Sequence, residues 1–142
     1  MSIAAILANK GGDVATIDST VPLSDAVAQL AKRRIGALVV TTGGEVAGIV
    51  SERDLVMCLS ERGASALDRP VSEAMTAPAV TIARETPVMT ALALMTRRRF
   101  RHLPIVENGA LVGLVSIGDL VKYRIDSIES EAAAMRSYIQ GA

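Results

Sequence analysis

The chain has no tryptophan, one phenylalanine and two tyrosines among its 142 residues. Its core must therefore come from Val, Ile, Leu, Ala and Met, and a hydrophobic fraction of 50% argues against a disordered chain. Aromatic platforms for stacking bases are missing, and 15 basic residues balance 15 acidic ones, so nothing global points to nucleic acid. That neutrality also leaves the protein weakly protected against self-association. A single cysteine, Cys58, excludes disulfides within the chain and cysteine-rich zinc sites. Its neighbours Val56, Met57 and Leu59 point to a buried structural thiol. With one histidine, His102, no metal-ligand spacing, no glycine-rich phosphate loop and no nucleophile–base set, an enzyme is not expected. No apolar run nears the ~20 residues of a membrane span and no signal-peptide pattern opens the chain. A soluble cytoplasmic protein is the default expectation.

What the chain does contain is itself, twice. Residues 16–56 return as 81–121 at a constant offset of 65, with 15 identities over 41 positions and no gap. The densest stretch is Val50-Ser51-x-x-Asp54-Leu55-Val56 against Val115-Ser116-x-x-Asp119-Leu120-Val121. Similarity at one fixed offset implies one folding unit used twice. Two like units can pack face to face, and the cleft between them is a natural ligand site.

Each repeat reads β-α-β-β-α. A short strand ends near Ile17 or Ile82, and Pro22 or Pro87 fits the first turn of a helix. Leu23, Ala26, Val27, Leu30 and Ala31 then recur at helical spacing, as do Val88, Ala91, Leu92 and Met95. Lys32-Arg33-Arg34 and Arg97-Arg98-Arg99 suit the negative end of the helix dipole. Strands are predicted at Ala37–Thr41 and His102–Val106, with returns at Val46–Val50 and Leu111–Val115. Gly43-Gly44 and Asn108-Gly109 are the hairpin turns between them. Gly48 and Gly113, inside the return strands, suggest close backbone approach. Ser51 and Ser116 are placed to cap the second helix of each unit. Val71–Met75 in the linker and Ile3–Leu7 at the start are candidate helical turns, each preceding its repeat in the same way. Beyond Asp119 nothing breaks a helix as far as about Tyr138. There Val121, Ile125, Ile128, Ala132, Met135 and Ile139 form a heptad seam. Its partner is either the body of its own chain or the same helix of a second subunit. The expected units are residues 1–65, 66–123 and a helical extension, 124–142.

The ordered set of motifs resembles a tandem pair of cystathionine-β-synthase (CBS) domains, the Bateman module. The carriers are Ile35-Gly36-Ala37-Leu38-Val39-Val40, Val46-x-Gly48-Ile49-Val50-Ser51-Glu52-Arg53-Asp54-Leu55, Arg101-His102-Leu103-Pro104-Ile105-Val106 and Leu111–Leu120. The resemblance covers roughly residues 3–123. It implies an α/β (α+β) fold of two repeats related by pseudo-twofold symmetry, with two symmetric clefts. Family members bind AMP, ADP, ATP, NAD(H) or S-adenosylmethionine in such clefts, and two pairs often join in a flat dimer. A stand-alone pair of this kind implies a non-catalytic sensor that requires no cofactor and binds an adenosine nucleotide. It would act on an unidentified regulated protein, as a homodimer through the pair and the C-terminal helix.

By resemblance, Asp54 and Asp119 match the ribose-binding aspartate, and Ser51 and Ser116 its hydroxyl partner. A carboxylate can accept from both vicinal hydroxyls of a ribose through charge-assisted bonds. The plainer alternative is that each Ser only caps its helix and each Asp only supports the dipole. The first cleft would add Ile49, Thr86, Ala91, Phe100 and Pro104 as adenine pocket. The second would add Leu114, Val21, Ala26, Ile35, Gly36, Ala37 and Val39. Arg101, His102 and Arg53 are the candidate phosphate ligands, and they make the Asp54 cleft the one expected to prefer the more anionic ligand. The competing expectations are a structural module with empty clefts and, more remotely, a nucleotide-hydrolysing enzyme.

Overall fold

The computed structural model describes residues 1–141. Its elements run α1 (Ile3–Lys10), β1 (Thr16–Asp18), α2 (Leu23–Arg33), β2 (Ala37–Thr42), β3 (Glu45–Ser51), α3 (Glu52–Arg62), α4 (Val88–Arg98), β4 (His102–Glu107), β5 (Ala110–Ser116) and α5 (Ile117–Gly141). Two 3-10 turns, Gly63–Asp68 and Val71–Glu73, lie in the linker. The two β-α-β-β-α units are present. The first strand of the second unit is reduced to a single parallel bridge, Ile82 to Ile105.

Local chemistry sets the boundaries. Pro22 and Pro87 stand one residue before their helices, with extended ψ of 150° and 143°, rather than inside the first turn. Arg34 and Arg99 end the same helices in the left-handed region, at φ 54° and 59°, a place more often taken by glycine. Gly43-Gly44 and Asn108-Gly109 all have positive φ, as a two-residue hairpin turn joining right-twisted strands requires. Strands β2 and β3 pair antiparallel with Val40 opposite Gly48. Strands β4 and β5 repeat that register with Ile105 opposite Gly113.

There are two cores, one per unit. The first contains Ile17, Leu23, Leu30, Leu38, Val50, Leu55 and Cys58. The second contains Ile82, Val88, Met95, Leu103, Ile105, Val115 and Leu120. The segments leading into the repeats pack crosswise. Helix α1 precedes the first unit but buries Ile3, Ile6 and Leu7 in the second core, and Ile3 N–H donates to the Thr86 carbonyl at 2.9 Å. The linker precedes the second unit but buries Ala66 and Val71 in the first core, and Val71 N–H donates to the Val21 carbonyl at 2.8 Å.

The two repeated glycines are the landing points of this exchange. A Cβ on Gly48 would sit 2.6 Å from the Thr76 carbonyl oxygen, and one on Gly113 would sit 2.6 Å from a Leu7 methyl. Both are closer than real atoms tolerate, but the obstacles differ in kind. Thr76 presents backbone, locked to β3 by reciprocal bonds with Ile49 of 3.1 and 2.8 Å. Leu7 presents the end of a side chain that can turn. Gly48→Ala is therefore expected to cost about 1–3 kcal/mol of stability, as overpacking typically does, and Gly113→Ala less. Urea denaturation of the two variants checks the order, and a larger loss at Gly113 would refute the assignment.

Candidate functional site

The Ser-x-x-Asp motif folds into a capping box at each strand-to-helix junction. Ser51 Oγ accepts from the Asp54 N–H, while Asp54 Oδ2 accepts from the Ser51 N–H at 2.8 Å and the Ser51 hydroxyl at 3.0 Å. In the second unit the Asp119 N–H donates to Ser116 Oγ at 3.1 Å and the Ser116 N–H to Asp119 Oδ2 at 2.8 Å. The cap thus fixes each carboxylate while leaving it further lone pairs, because an ionised carboxylate accepts about four hydrogen bonds. Capping and ligand binding are compatible roles for the same side chain.

What else reaches the two carboxylates differs between units. Asp54 Oδ1 accepts from the Thr76 hydroxyl at 3.1 Å. Asp119 Oδ2 accepts instead from the Lys10 ammonium at 2.6 Å, and the same ammonium donates to the Leu114 carbonyl at 2.8 Å.

Two cavities of similar size flank the junction between units, about 540 and 550 Å³. Both fall within the ~300–1,000 Å³ usual for small-ligand sites. The first gathers Ile49, Ser51, Arg53, Asp54, Phe100, Arg101 and His102, all anticipated from the sequence. Thr86, Ala91 and Pro104 do not line it. Ala91 is fully buried in the second core, Pro104 is buried, and Thr86 turns its hydroxyl to the Ala83 N–H at 3.1 Å. The second cavity gathers Ile35, Gly36, Ala37, Leu114 and Ser116, with Asp119 reached through Lys10. Val21, Ala26 and Val39 lie off it. Ala26 and Val39 are fully buried, and Val21 packs against the first core. The misplaced residues fall in two groups: Ala26, Ala91, Val39 and Pro104 are buried, and Val21 and Thr86 lie at the bends before α2 and α4.

Residues outside the sequence reading complete both cavities. The first also has Pro78, Ala79, Val80, Arg98 and Arg99, and the second Lys10, Asp13, Val14, Ala15 and Arg33. Residues 13–15 and 78–80 stand at the same offset of 65, so extending the repeat three residues upstream would have found them. Lys10 gave no such signal, since its counterpart is Met75.

The clefts meet at Gly36 and His102, which line both. A Cβ on Gly36 would contact His102 Nε2 at 3.5 Å and Cε1 at 3.6 Å, so that edge of the imidazole lies against the glycine. Burial is the main cause holding the His102 pKa below its ordinary value, with Lys10 and Arg101 adding to it and Asp119 and Glu52 opposing. For Asp119 burial pushes upward, but the Lys10 and Ser116 hydrogen bonds outweigh it and hold the carboxyl below the usual range. The first cavity carries Arg53, Arg98, Arg99 and Arg101 against Glu52 and Asp54. The second carries Lys10 and Arg33 against Asp13 and the adjoining Asp119.

Twin units with a capped carboxylate beside each inter-unit cavity define a paired-repeat module. The chain belongs to the CBS domain family, whose model matches it twice, over residues 7–61 and 71–126. It is 37% identical over 131 residues to the mitochondrial CBS domain-containing protein CBSX3 of Arabidopsis thaliana, a match covering 89% of this chain and 63% of that protein. It superposes on the CBS-domain containing protein ATU1752 of Agrobacterium tumefaciens with a TM-score of 0.84 and 42% identity, over 87% of this chain and 99% of the other. The CBS domain protein PAE2072 of Pyrobaculum aerophilum, solved in complex with AMP, is similar at a TM-score of 0.74 and 29% identity, over 84% of this chain and 89% of the other.

The lowered His102 pKa makes a pH prediction. A base whose pKa is lower in the fold takes up protons more readily when unfolded. Its contribution to stability is complete above its ordinary pKa of about 6.5 and is lost as pH falls toward the folded value. The melting temperature is therefore expected to fall more between pH 7.5 and 5.5 in the parent protein than in His102→Gln. Parallel curves would show that His102 is not responsible. The Asp119 contribution belongs to a separate window, being present above about pH 3.9 and lost on further acidification.

Proposed function

We propose that this protein is a non-catalytic sensor of adenosine phosphates, binding its ligand first in the Asp54 cleft. The observation that carries the reading is one cavity in which a capped carboxylate sits with Arg53, Arg98, Arg99, Arg101 and His102. A nucleotide presents complementary chemistry: a cis-diol that donates to the carboxylate and a phosphate that accepts from guanidinium forks. Ile49, Ala79, Val80 and Phe100 supply apolar wall for the flat base. The AMP held by the Pyrobaculum relative supports the same ligand class. AMP, ATP and NAD(H) share these groups, and a panel of the three would rank them. Binding would be read by another protein through a shift between two arrangements of the pair, by as much as the ligand prefers one over the other.

Calorimetry with AMP and adenosine separates the two halves of the site. Arg101→Ala should weaken AMP about 10- to 100-fold, in line with losing a hydrogen bond to a charged group, and leave adenosine nearly unchanged. Asp54→Asn should weaken both. An equal loss of AMP and adenosine in Arg101→Ala would count against phosphate at that end. If no nucleotide raises the melting temperature, the structural-module alternative gains instead.

A second copy of the chain is the proposed cover for α5. Its 25 residues span about 37 Å at 1.5 Å per residue. Val121, Ile125, Ile128, Met135 and Ile139 are 44–69% exposed, and Leu120 is the residue of this helix buried in the body. The chain's own core therefore leaves the heptad seam uncovered. Ile125→Glu combined with Ile128→Glu should convert a dimer to a monomer in size-exclusion chromatography with light scattering. A parent protein already monomeric at tens of micromolar would refute this.

A further inference from the structure

The two clefts share a size and a capping box, yet their carboxylates have been given different companions. At Asp54 the companion is a hydroxyl, which both donates and accepts. It can turn to accept from a sugar hydroxyl while the sugar donates to the carboxylate. At Asp119 it is an ammonium on Oδ2, the oxygen that also holds the Ser116 N–H; it only donates, and it lines the cavity in front of a carboxylate that does not, so a diol must displace it to reach Asp119. Lys10 also takes the Leu114 carbonyl, while the matching Ile49 carbonyl is held by the Thr76 backbone N–H and needs no side chain. Lys10 is delivered rigidly. It closes the last turn of α1, three residues after Leu7, which is 5% exposed and seated on Gly113. Its own side chain remains 37% exposed, so it can swing out without unfolding the helix.

We propose that Lys10 is a tethered competitor that latches the Asp119 cleft, so that the pair has one open nucleotide site and one held shut. The inference rests on the adenosine-phosphate reading above and adds its regulation. A ligand entering the second cleft must break the Lys10–Asp119 pair. Occupancy there would therefore require higher ligand concentration and would release the Lys10 side chain from the cleft.

The repeat itself supplies the test variant, because position 10 in the first cleft's numbering corresponds to Met75. Native mass spectrometry and calorimetry with AMP would be run on the parent chain and on Lys10→Met, whose helix content is checked by circular dichroism. The parent should bind one equivalent at concentrations that saturate the Asp54 cleft. Lys10→Met should bind two, with second-site affinity raised tenfold or more. The added equivalent should vanish in Lys10→Met/Asp119→Asn and survive in Lys10→Met/Asp54→Asn. A single equivalent in both the parent and Lys10→Met overturns the latch but leaves the sensor reading standing. Two equal sites in the parent, or a second site weakened by Lys10→Met, also overturn it, the latter by making Lys10 a ligand contact. Absence of AMP binding to either protein overturns both readings.

Discussion

The crosswise docking of the leading segments is the constraint on which the rest of this structure depends. Neither unit closes its own core. Each leaves an apolar face that the segment before the other unit must cover, with Ile3, Ile6 and Leu7 on one side and Ala66 and Val71 on the other. Glycine at positions 48 and 113 lets those segments approach closer than any side chain would allow. The exchange ties the units together through the chain as well as through the contact between β3 and β5. It also decides the chemistry of the clefts, because the ends of the exchanged segments carry Thr76 to Asp54 and Lys10 to Asp119.

On the proposed reading, each capping-box aspartate would serve stability and binding without conflict. A helix N-terminus leaves N–H groups unpaired, and Ser with Asp three residues later satisfies two of them. That arrangement holds the carboxylate at the strand end, where the two units meet. The same rigidity that stabilises the helix pre-orients the acceptor, so less freedom would be lost if a ligand bound there.

Much of this was legible in the residues. Turn glycines, helix-entry prolines and serine caps are local signals, and their elements formed within a residue or two of the expected bounds. The duplication gave the paired architecture, and nine of the anticipated pocket residues line a cavity together with Ser51, Asp54 and Ser116. The crosswise packing was not legible. Ile3–Leu7 and Val71–Met75 precede their repeats identically, and nothing local says which core each will seal. Lys10 was hidden for the same reason: its partner Asp119 lies 109 positions away, and only the docking of α1 joins them. Ala26, Ala91 and Val39 were assigned to pockets through the family resemblance, but all three are fully buried in this fold.

Duplication lets the two kinds of requirement be separated by comparing the chain with itself. Where the repeats agree, the shared residues answer to the backbone: Pro22 with Pro87 at helix entries, Gly48 with Gly113 under the exchanged segments, Ser51 with Ser116 and Asp54 with Asp119 at the caps. Where they differ at the clefts, the change is one of charge: Arg53 against Gly118, Arg101 against Gly36, His102 against Ala37, Lys10 against Met75 and Asp13 against Pro78. The scaffold constrains the first set equally in both halves, because breaking it would open a core. It constrains the second set less, because Arg53, Arg101, His102, Lys10 and Asp13 line the cavities, although Met75 packs against the first core. A pair built this way can keep one fold while its clefts diverge in the anions they attract, and on the proposed reading a single chain would then carry two sites of unequal strength.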